Sequence, residues 1–168
     1  MKKILAIIVL AALPVLLNAQ DLIDGLIDKY QGQEGFTTVV INSAMFDIAA
    51  AIDDDNDLQK MKGMIDKIRI IAMDDFSNTE INFFSEMQSH VNAKSYVELM
   101  TVKEKDNDVV FYVKYAGKDI EELLLVAGGT DENAIISIKG KINLKELASI
   151  SKSVHISGFE YLDNLENN

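Results

Sequence analysis

From Tyr96 to Ile142 the apolar pattern changes from the helical period to a period of two, most clearly over Ala134–Ile142, and this change constrains the fold more than any other feature of the chain. A period of two is typical of strands that lie in a sheet. The pattern predicts two pairs of strands, each joined by a turn rich in Asp, Asn or Gly. The predicted pairs are Tyr96–Lys103 with Val109–Tyr115, and Glu122–Ala127 with Ala134–Ile142.

The last predicted strand shows two different faces. One face carries Ile136, Ile138, Gly140 and Ile142, and the other carries Ser137, Lys139 and Lys141. Because successive side chains of a strand point to opposite faces, we expect one packed face and one face that is at least partly in contact with water.

Before Tyr96 the chain alternates between helical and extended patterns. Helical spacing of apolar residues predicts a first helix from near Asp21 to around Gly32, and β-branched residues predict strands over Phe36–Ile41 and Lys67–Met73. Asn42 or Ser43 is suited to cap a helix in which Met45, Ile48, Ala49 and Ile52 form one apolar stripe. Further helices are predicted over Leu58–Met64, from Ser77, Asn78 or Thr79 onward, and after Asn143.

These elements predict an α+β fold. We expect a mostly antiparallel, mixed sheet of about six strands with helices packed on one face. A faint internal echo accompanies this order, because Ile41–Met45 and Ile142–Glu146 each place an Asn between a strand and a helix. Duplication and the shared chemistry of strand-to-helix junctions both explain that echo.

The first 19 residues have the composition of a secretory signal peptide. Lys2 and Lys3 precede an apolar run from Ile4 to Leu17, and no Cys that could carry a lipid follows it. The run is shorter than a spanning helix requires and contains the chain's one Pro. We predict cleavage between Ala19 and Gln20, one α+β domain over residues 20–161, and a frayed tail over residues 162–168.

The predicted cellular location and the net charge of the chain limit the class of partner. Export would place the product in the periplasm or outside the cell, soluble and without stable membrane insertion after cleavage. Loss of Lys2 and Lys3 changes the formal charge from −11 to −13, and such a surface repels nucleic acid. The partner is expected to be another envelope protein or a small ligand, and the sequence does not define an oligomeric state.

No catalytic, cofactor or metal site emerges from the sequence. There is no Cys, no nucleophile elbow, and the two His, His90 and His155, are expected to be structural. The run from Asp53 to Asp57 resembles the start of a calcium loop, but Leu58 and Met64 occupy the positions that need Gly and Glu. We therefore predict no catalytic residue, no cofactor and no metal ligand.

A contact surface is the remaining candidate site. Alternation places Tyr112 and Lys114 on one face of their strand, opposite Phe111. An exposed Tyr112 beside Lys114 would suit a binding surface, although a lone exposed aromatic is the more common explanation. Exposed edge strands of the sheet are the other expected contact regions.

The chain resembles a family of small secreted Bacteroidetes proteins recorded as domain of unknown function 4252. The resemblance rests on Asn42–Phe46, Ile68–Ile71, Val109–Val113, Ile120–Val126 and Ile136–Leu147. It implies a signal peptide, an α+β domain and no accepted activity. Similar proteins are often encoded near envelope-stress sigma and anti-sigma factors, which implies a signalling accessory, and no functional residue can be carried over.

The leading hypothesis is a non-enzymatic envelope protein that binds a macromolecule or ligand, within envelope signalling. Two alternatives remain open at this point. One is a hydrolase that uses paired carboxylates in a cleft, and the other is a carrier of a small apolar ligand held between sheet and helices.

Overall fold

The computed structural model of the chain describes residues 21–52, 56–74, 81–91, 96–130 and 133–143. Within these ranges the chain forms four helices and six strands. The helices are α1 (Leu22–Tyr30), α2 (Ser43–Ile52), α3 (Asn56–Met61) and α4 (Phe83–Val91). The strands are β1 (Phe36–Asn42), β2 (Ile65–Met73), β3 (Tyr96–Lys103), β4 (Asn107–Ala116), β5 (Asp119–Gly129) and β6 (Asn133–Ile142).

The six strands form one sheet in the order β1-β2-β6-β5-β4-β3. Every pair of neighbouring strands is antiparallel. The predicted α+β class and the predicted number of strands are therefore confirmed. The strands β1 and β3 form the two edges of this sheet.

Helices lie on both faces of the sheet, whereas the sequence predicted helices on one face. Phe46 of α2 and Met61 of α3 pack with Leu123 and Leu125 of β5 in one apolar core. Residues of α1 and α4 pack against the opposite face, in a second core that contains the next residues of β5, Leu124 and Val126. The physical reason is the uninterrupted apolar run of β5, which a sheet tolerates only when both of its faces are covered.

The α1/α4 face, meaning the sheet face covered by α1 and α4, is the one that matters for the site. Helix α1 contacts β1 and β2, and α4 contacts β4, β5 and β6. The two helices are joined by Glu86 of α4, which accepts hydrogen bonds from Lys29 Nζ at 2.6 Å and from the Tyr30 hydroxyl at 2.8 Å. The ring of Tyr30 also packs against Phe36 and Phe83, with centroid distances of 4.6 and 5.3 Å.

Several predicted boundaries differ from those in the structure. The helix predicted from Ser77–Thr79 begins at Phe83, because the side chain of Asn82 accepts a hydrogen bond from the Ser85 amide as a cap. The predicted signal peptide, closing helix and C-terminal tail lie outside the described residues. None of the helices in the described ranges has the length and apolar character needed to span a membrane.

Candidate functional site

A cluster of charged and polar side chains is buried on the α1/α4 face. Its centre is formed by Arg69 of β2, Glu122 of β5 and Ser137 of β6, all of which are buried. Arg69 and Ser137 are register partners in neighbouring strands, so the sheet itself brings them together. We call the following set the Arg69 cluster: Asp21, Asp24, Arg69, Tyr96, Glu122, Ser137 and Lys139.

The guanidinium of Arg69 connects the sheet to α1. Its Nη2 donates to Glu122 Oε1 and to Ser137 Oγ, both at 2.8 Å. Its Nη1 donates to Asp21 Oδ1 at 2.6 Å and to Asp24 Oδ1 at 2.8 Å. The Nε–H is buried without a partner among the described residues. Part of the cost of removing the guanidinium from water is therefore not recovered.

Asp21 has two structural roles at the start of α1. Its side chain caps the helix by accepting hydrogen bonds from the amides of Ile23 and Asp24, and it also forms ion pairs with Arg69 and Lys139. Burial acts to raise the pKa of Asp21, but the hydrogen bonds and charges of Lys139 and Arg69 outweigh it and hold the pKa well below its ordinary value. Asp21 is therefore a firmly ionised anchor for α1.

The other side of the cluster reaches β3 at the far edge of the sheet. The hydroxyl of Tyr96 donates to Glu122 Oε2 at 2.7 Å, across the intervening strand β4. Burial, followed by the charge of Glu122, raises the pKa of Tyr96 far above its ordinary value. The two oxygens of Glu122 thus receive donors from opposite directions, which fixes the carboxylate.

A β-bulge accompanies Glu122. Glu122 pairs with Lys114 and Ile120 pairs with Tyr115, so Glu121 is an extra residue of β5. A bulge redirects side chains locally, and here Glu121 Oε1 lies 2.6 Å from Lys114 Nζ. The hydrogen bond and charge of Glu121 raise the pKa of Lys114. A short, half-buried ion pair therefore flanks the cluster.

The centre of the cluster is closed to solvent. Ser137 Oγ donates to Glu122 Oε1 at 2.6 Å, which superficially resembles a nucleophile beside a base. However, Ser137 is 0% exposed and Glu122 is 1% exposed, and both are hydrogen-bonded to Arg69. This arrangement joins three strands of the sheet and, through Arg69, orients α1.

Two surface clefts lie away from the cluster. One, of about 320 Å³, lies at the opposite end of β5 and is lined by turn residues that include Asp106, Asn107, Gly129 and Asn133. The other, of about 490 Å³, lies between α1 and α4 and includes the Lys29–Glu86 pair. Within the described residues no group of three His, Cys, Asp or Glu is placed to hold a metal ion.

The structure corrects the predicted contact surface. Tyr112 is 6% exposed and packs in the core beneath α1 and α4, so the expectation that it is exposed is wrong. Burial, with a smaller contribution from Glu98, raises its pKa. Lys114 does lie on the same face, half-buried and paired with Glu121. Of the two His, His90 is exposed with Nδ1 2.8 Å from the Glu86 carbonyl oxygen, and His155 lies outside the described residues.

Helix α2 carries an apolar surface whose exposure the sequence did not predict. Phe46 and Ala50 are buried, whereas Met45, Ile48 and Ile52 are 59%, 57% and 82% exposed. The predicted stripe therefore exists, but it faces solvent. We call these three exposed residues the α2 stripe. The near absence of charge in α2 was the sequence feature that could have indicated this surface. Asp47 is the one charged residue among the ten of α2, and a helix that is apolar on all sides normally has contacts on all sides.

The fold and these features define an antiparallel α+β protein with an ionic cluster whose centre is buried and with an exposed apolar helix face. The chain belongs to the family described as Domain of unknown function (DUF4252), whose model matches residues 30–150. No curated protein and no solved structure gives a match.

Proposed function

We propose that this protein is a non-enzymatic binding protein of the cell envelope, exported from the cytoplasm, that acts as an accessory in envelope signalling. The observation that carries the proposal is the exposed α2 stripe. Apolar side chains at positions i, i+3 and i+7 of a helix form the arrangement that inserts into an apolar groove on a partner protein.

The free energy of burying apolar side chains favours contact of the α2 stripe with a partner over its exposure to solvent. Burial of a Met or Ile side chain contributes about 1.5–3 kcal/mol, and Met45, Ile48 and Ile52 are each more than half exposed. Asp47 of the same helix is paired with Lys62 at 3.8 Å, so the helix presents no uncompensated charge. The partner that this surface suits is a protein with an apolar groove, not an anionic polymer.

Export is part of the proposal and fits the position of Asp21. Cleavage after Ala19 would make Asp21 the second residue of the product, so every contact of Asp21 with α1, Arg69 and Lys139 would remain. The accessory role in signalling follows from the gene context that the family resemblance implies. Mass spectrometry of the N-terminus and cell fractionation test the proposed export. A product that still carries Met1 and is found in the cytoplasm would contradict it.

The hydrolase and carrier alternatives have less support. A carboxylate hydrolase needs paired acids held in a cleft. The cleft at the end of β5 contains Glu104, Asp106 and Asp108, but Glu104 and Asp106 are exposed residues of the β3–β4 turn and Asp106 is paired with Lys105. An apolar carrier needs an enclosed apolar cavity, whereas the described cleft at the end of β5 is lined mostly by polar turn residues.

The binding role can be tested by photo-crosslinking in living cells. A photoreactive amino acid would replace Ile48 or Ile52, and in a matched control it would replace Tyr115, which is 46% exposed on β4. We expect a discrete adduct with a different protein from the α2 positions, and we expect Met45→Lys to abolish it. Adducts from Tyr115 but not from Ile48 or Ile52, or no adduct from any position, would contradict the proposal.

A further inference from the structure

We infer that edge strand β1 pairs antiparallel with β1 of a second copy of this chain, which joins two sheets into one across a two-fold axis. This inference goes beyond the proposed function and rests on a different element. Its evidence is the contrast between the two edges of the sheet, the charge of the segment around β1, and the symmetry of antiparallel pairing.

The two edge strands differ in how they are protected. Sheet edges of monomeric proteins are normally blocked by charged residues, Pro, bulges or a covering segment. Strand β3 follows this rule, because it contains Glu98 and Lys103 and its pairing with β4 shifts register at Leu99. Strand β1 has the sequence FTTVVIN, without charge or Pro, and it pairs with β2 in unbroken register over all seven residues.

The β1 edge is also accessible. None of its seven residues is buried, and Val40 is 47% exposed although its register partner, Arg69, is fully buried. Among the strands that the structure describes, β1 pairs with β2 alone. Apart from the Phe36 amide, which donates to the Gln33 carbonyl oxygen at 3.3 Å, this edge is an accessible row of backbone donors and acceptors without protecting charge, the feature by which sheets join edge to edge.

The lack of charge around β1 favours a second copy of this chain as the partner of this edge. The 17 residues from Phe36 to Ile52 contain a single charged side chain, Asp47, whereas 26% of the whole chain is charged. Lys62 compensates that charge. The segment around β1 therefore offers no opposite charge to a strongly charged partner. The β1 strand of a second copy is equally neutral and needs none. The net charge of −11 is carried elsewhere, and repulsion beyond about 8 Å is screened at physiological salt.

Symmetry makes the pairing self-complementary. Two identical strands that run antiparallel are related by a two-fold axis perpendicular to the sheet, which is an isologous contact. The register that pairs all seven residues places Val39 opposite Val39 of the second copy. Each strand is about 23 Å long at about 3.3 Å per residue. The axis keeps both α2 helices on one face of the joined sheet, so the dimer presents two α2 stripes to a partner.

The contact is centred on β1, of which none of the seven residues is buried within a single copy. Its depletion in charge matches the composition found at interface centres.

Disulfide trapping tests the geometry directly, because the chain contains no Cys. Opposed residues in an antiparallel pair have Cα atoms about 4.5–5.5 Å apart, within the range that a disulfide bridges. The full chain carrying Val39→Cys is expected to form a covalent dimer under mild oxidation. The matched control is Val97→Cys on edge strand β3, where Val97 is 49% exposed, and it is expected to remain monomeric on denaturing gels.

Sedimentation velocity over a wide concentration range provides the equilibrium test. The purified protein is expected to be dimeric, and Val40→Lys is expected to raise the dimer dissociation constant about tenfold or more, since two like charges would be brought to the shared edge. Val97→Lys should leave it unchanged, and circular dichroism would show that both variants are folded. A monomeric wild type, or equal effects of both substitutions, would overturn the inference while leaving the α2 crosslinking result unaffected.

Discussion

The guanidinium of Arg69 and the carboxylate of Glu122 lie 2.8 Å apart, although their strands, β2 and β5, are separated by β6. Ser137 of β6 fills the gap, because its hydroxyl accepts from Arg69 and donates to Glu122. The contact spans 53 residues of sequence. It links the two halves of the sheet beneath α1, and it makes Arg69 the residue on which the position of α1 depends.

Replacement of Arg69 by Met is expected to lower the free energy of unfolding by about 3–5 kcal/mol, because it leaves the buried Glu122 without its cation. Urea denaturation followed by circular dichroism would measure the change. The matched control is Lys67→Met, which removes a partly exposed pair with Asp24 at 3.8 Å and should cost at most about 1 kcal/mol. Equal small effects of both substitutions would contradict the structural role of Arg69.

A double variant, Arg69→Met with Glu122→Leu, is expected to recover much of the stability lost in Arg69→Met. Apolar residues of similar volume often replace a buried ion pair without net cost, and the unpartnered Nε of Arg69 shows that the native pair is not fully compensated. The same denaturation experiment provides the measurement. Additive losses from the two substitutions would show that the pair is not coupled.

Asp21 predicts a specific loss of stability in acid. Its folded-state pKa is depressed by Lys139 and Arg69, in spite of burial. Its contribution is therefore fully present above the ordinary carboxyl pKa of 3.8 and is lost as pH falls below that value toward the folded-state pKa. Asp21→Asn keeps a helix-capping side chain but removes the charge. We expect it to lower stability at neutral pH by about 1.5–3 kcal/mol and to flatten the decrease in stability below pH 3.8. An unchanged acid slope would contradict this role.

Tyr96 is predicted to anchor edge strand β3 through its hydroxyl. Tyr96→Phe removes the donor to Glu122 Oε2 and should lower the free energy of unfolding by about 1.5–3 kcal/mol, the range for a hydrogen bond to a charged group. Tyr115→Phe, at an exposed position, should change it by less than about 0.5 kcal/mol. Thermal and urea unfolding would compare the two, and a larger effect at Tyr115 would refute the anchor.

Gly140 is predicted to be irreplaceable at the junction of β6 and β2. Its φ is +152°, and a Cβ there would lie 2.0 Å from the carbonyl oxygen of Met64. Gly140→Ala should cost more than about 3 kcal/mol, because the overlap adds to backbone strain of about 1–3 kcal/mol. Gly63→Ala is the matched control, since its φ is +81° but the space around it is open, and we expect about 1 kcal/mol. Urea unfolding would compare the two variants, and equal losses of stability would contradict the predicted overlap.

Local patterns predicted the strands of this protein well. Alternation correctly placed Ile136, Ile138 and Ile142 on one face and Ser137 on the other, and the neutral run of β1 was recognised as a strand. The spacing also identified an apolar stripe on α2. These predictions succeeded because the side of an element on which a residue lies is fixed by its local backbone geometry.

Burial could not be predicted in the same way. The sequence suggested that Tyr112 is exposed, whereas it packs among residues of α1 and α4. It gave no sign that Arg69 would meet Glu122 and Asp21, which are distant in the chain. The α2 stripe faces solvent because Phe46, on the other side of α2, packs into the core against the sheet.

The sequence by itself therefore determined which segments form strands, their order along the chain, and the face of the strand on which each side chain lies. Each of these depends on neighbours within a few residues. Tertiary structure alone decided that helices cover both faces, that Arg69 forms the centre of a buried cluster, and that α2 and the β1 edge remain exposed. These features depend on which distant elements exclude water from a given surface, and the period of a pattern carries no information about that.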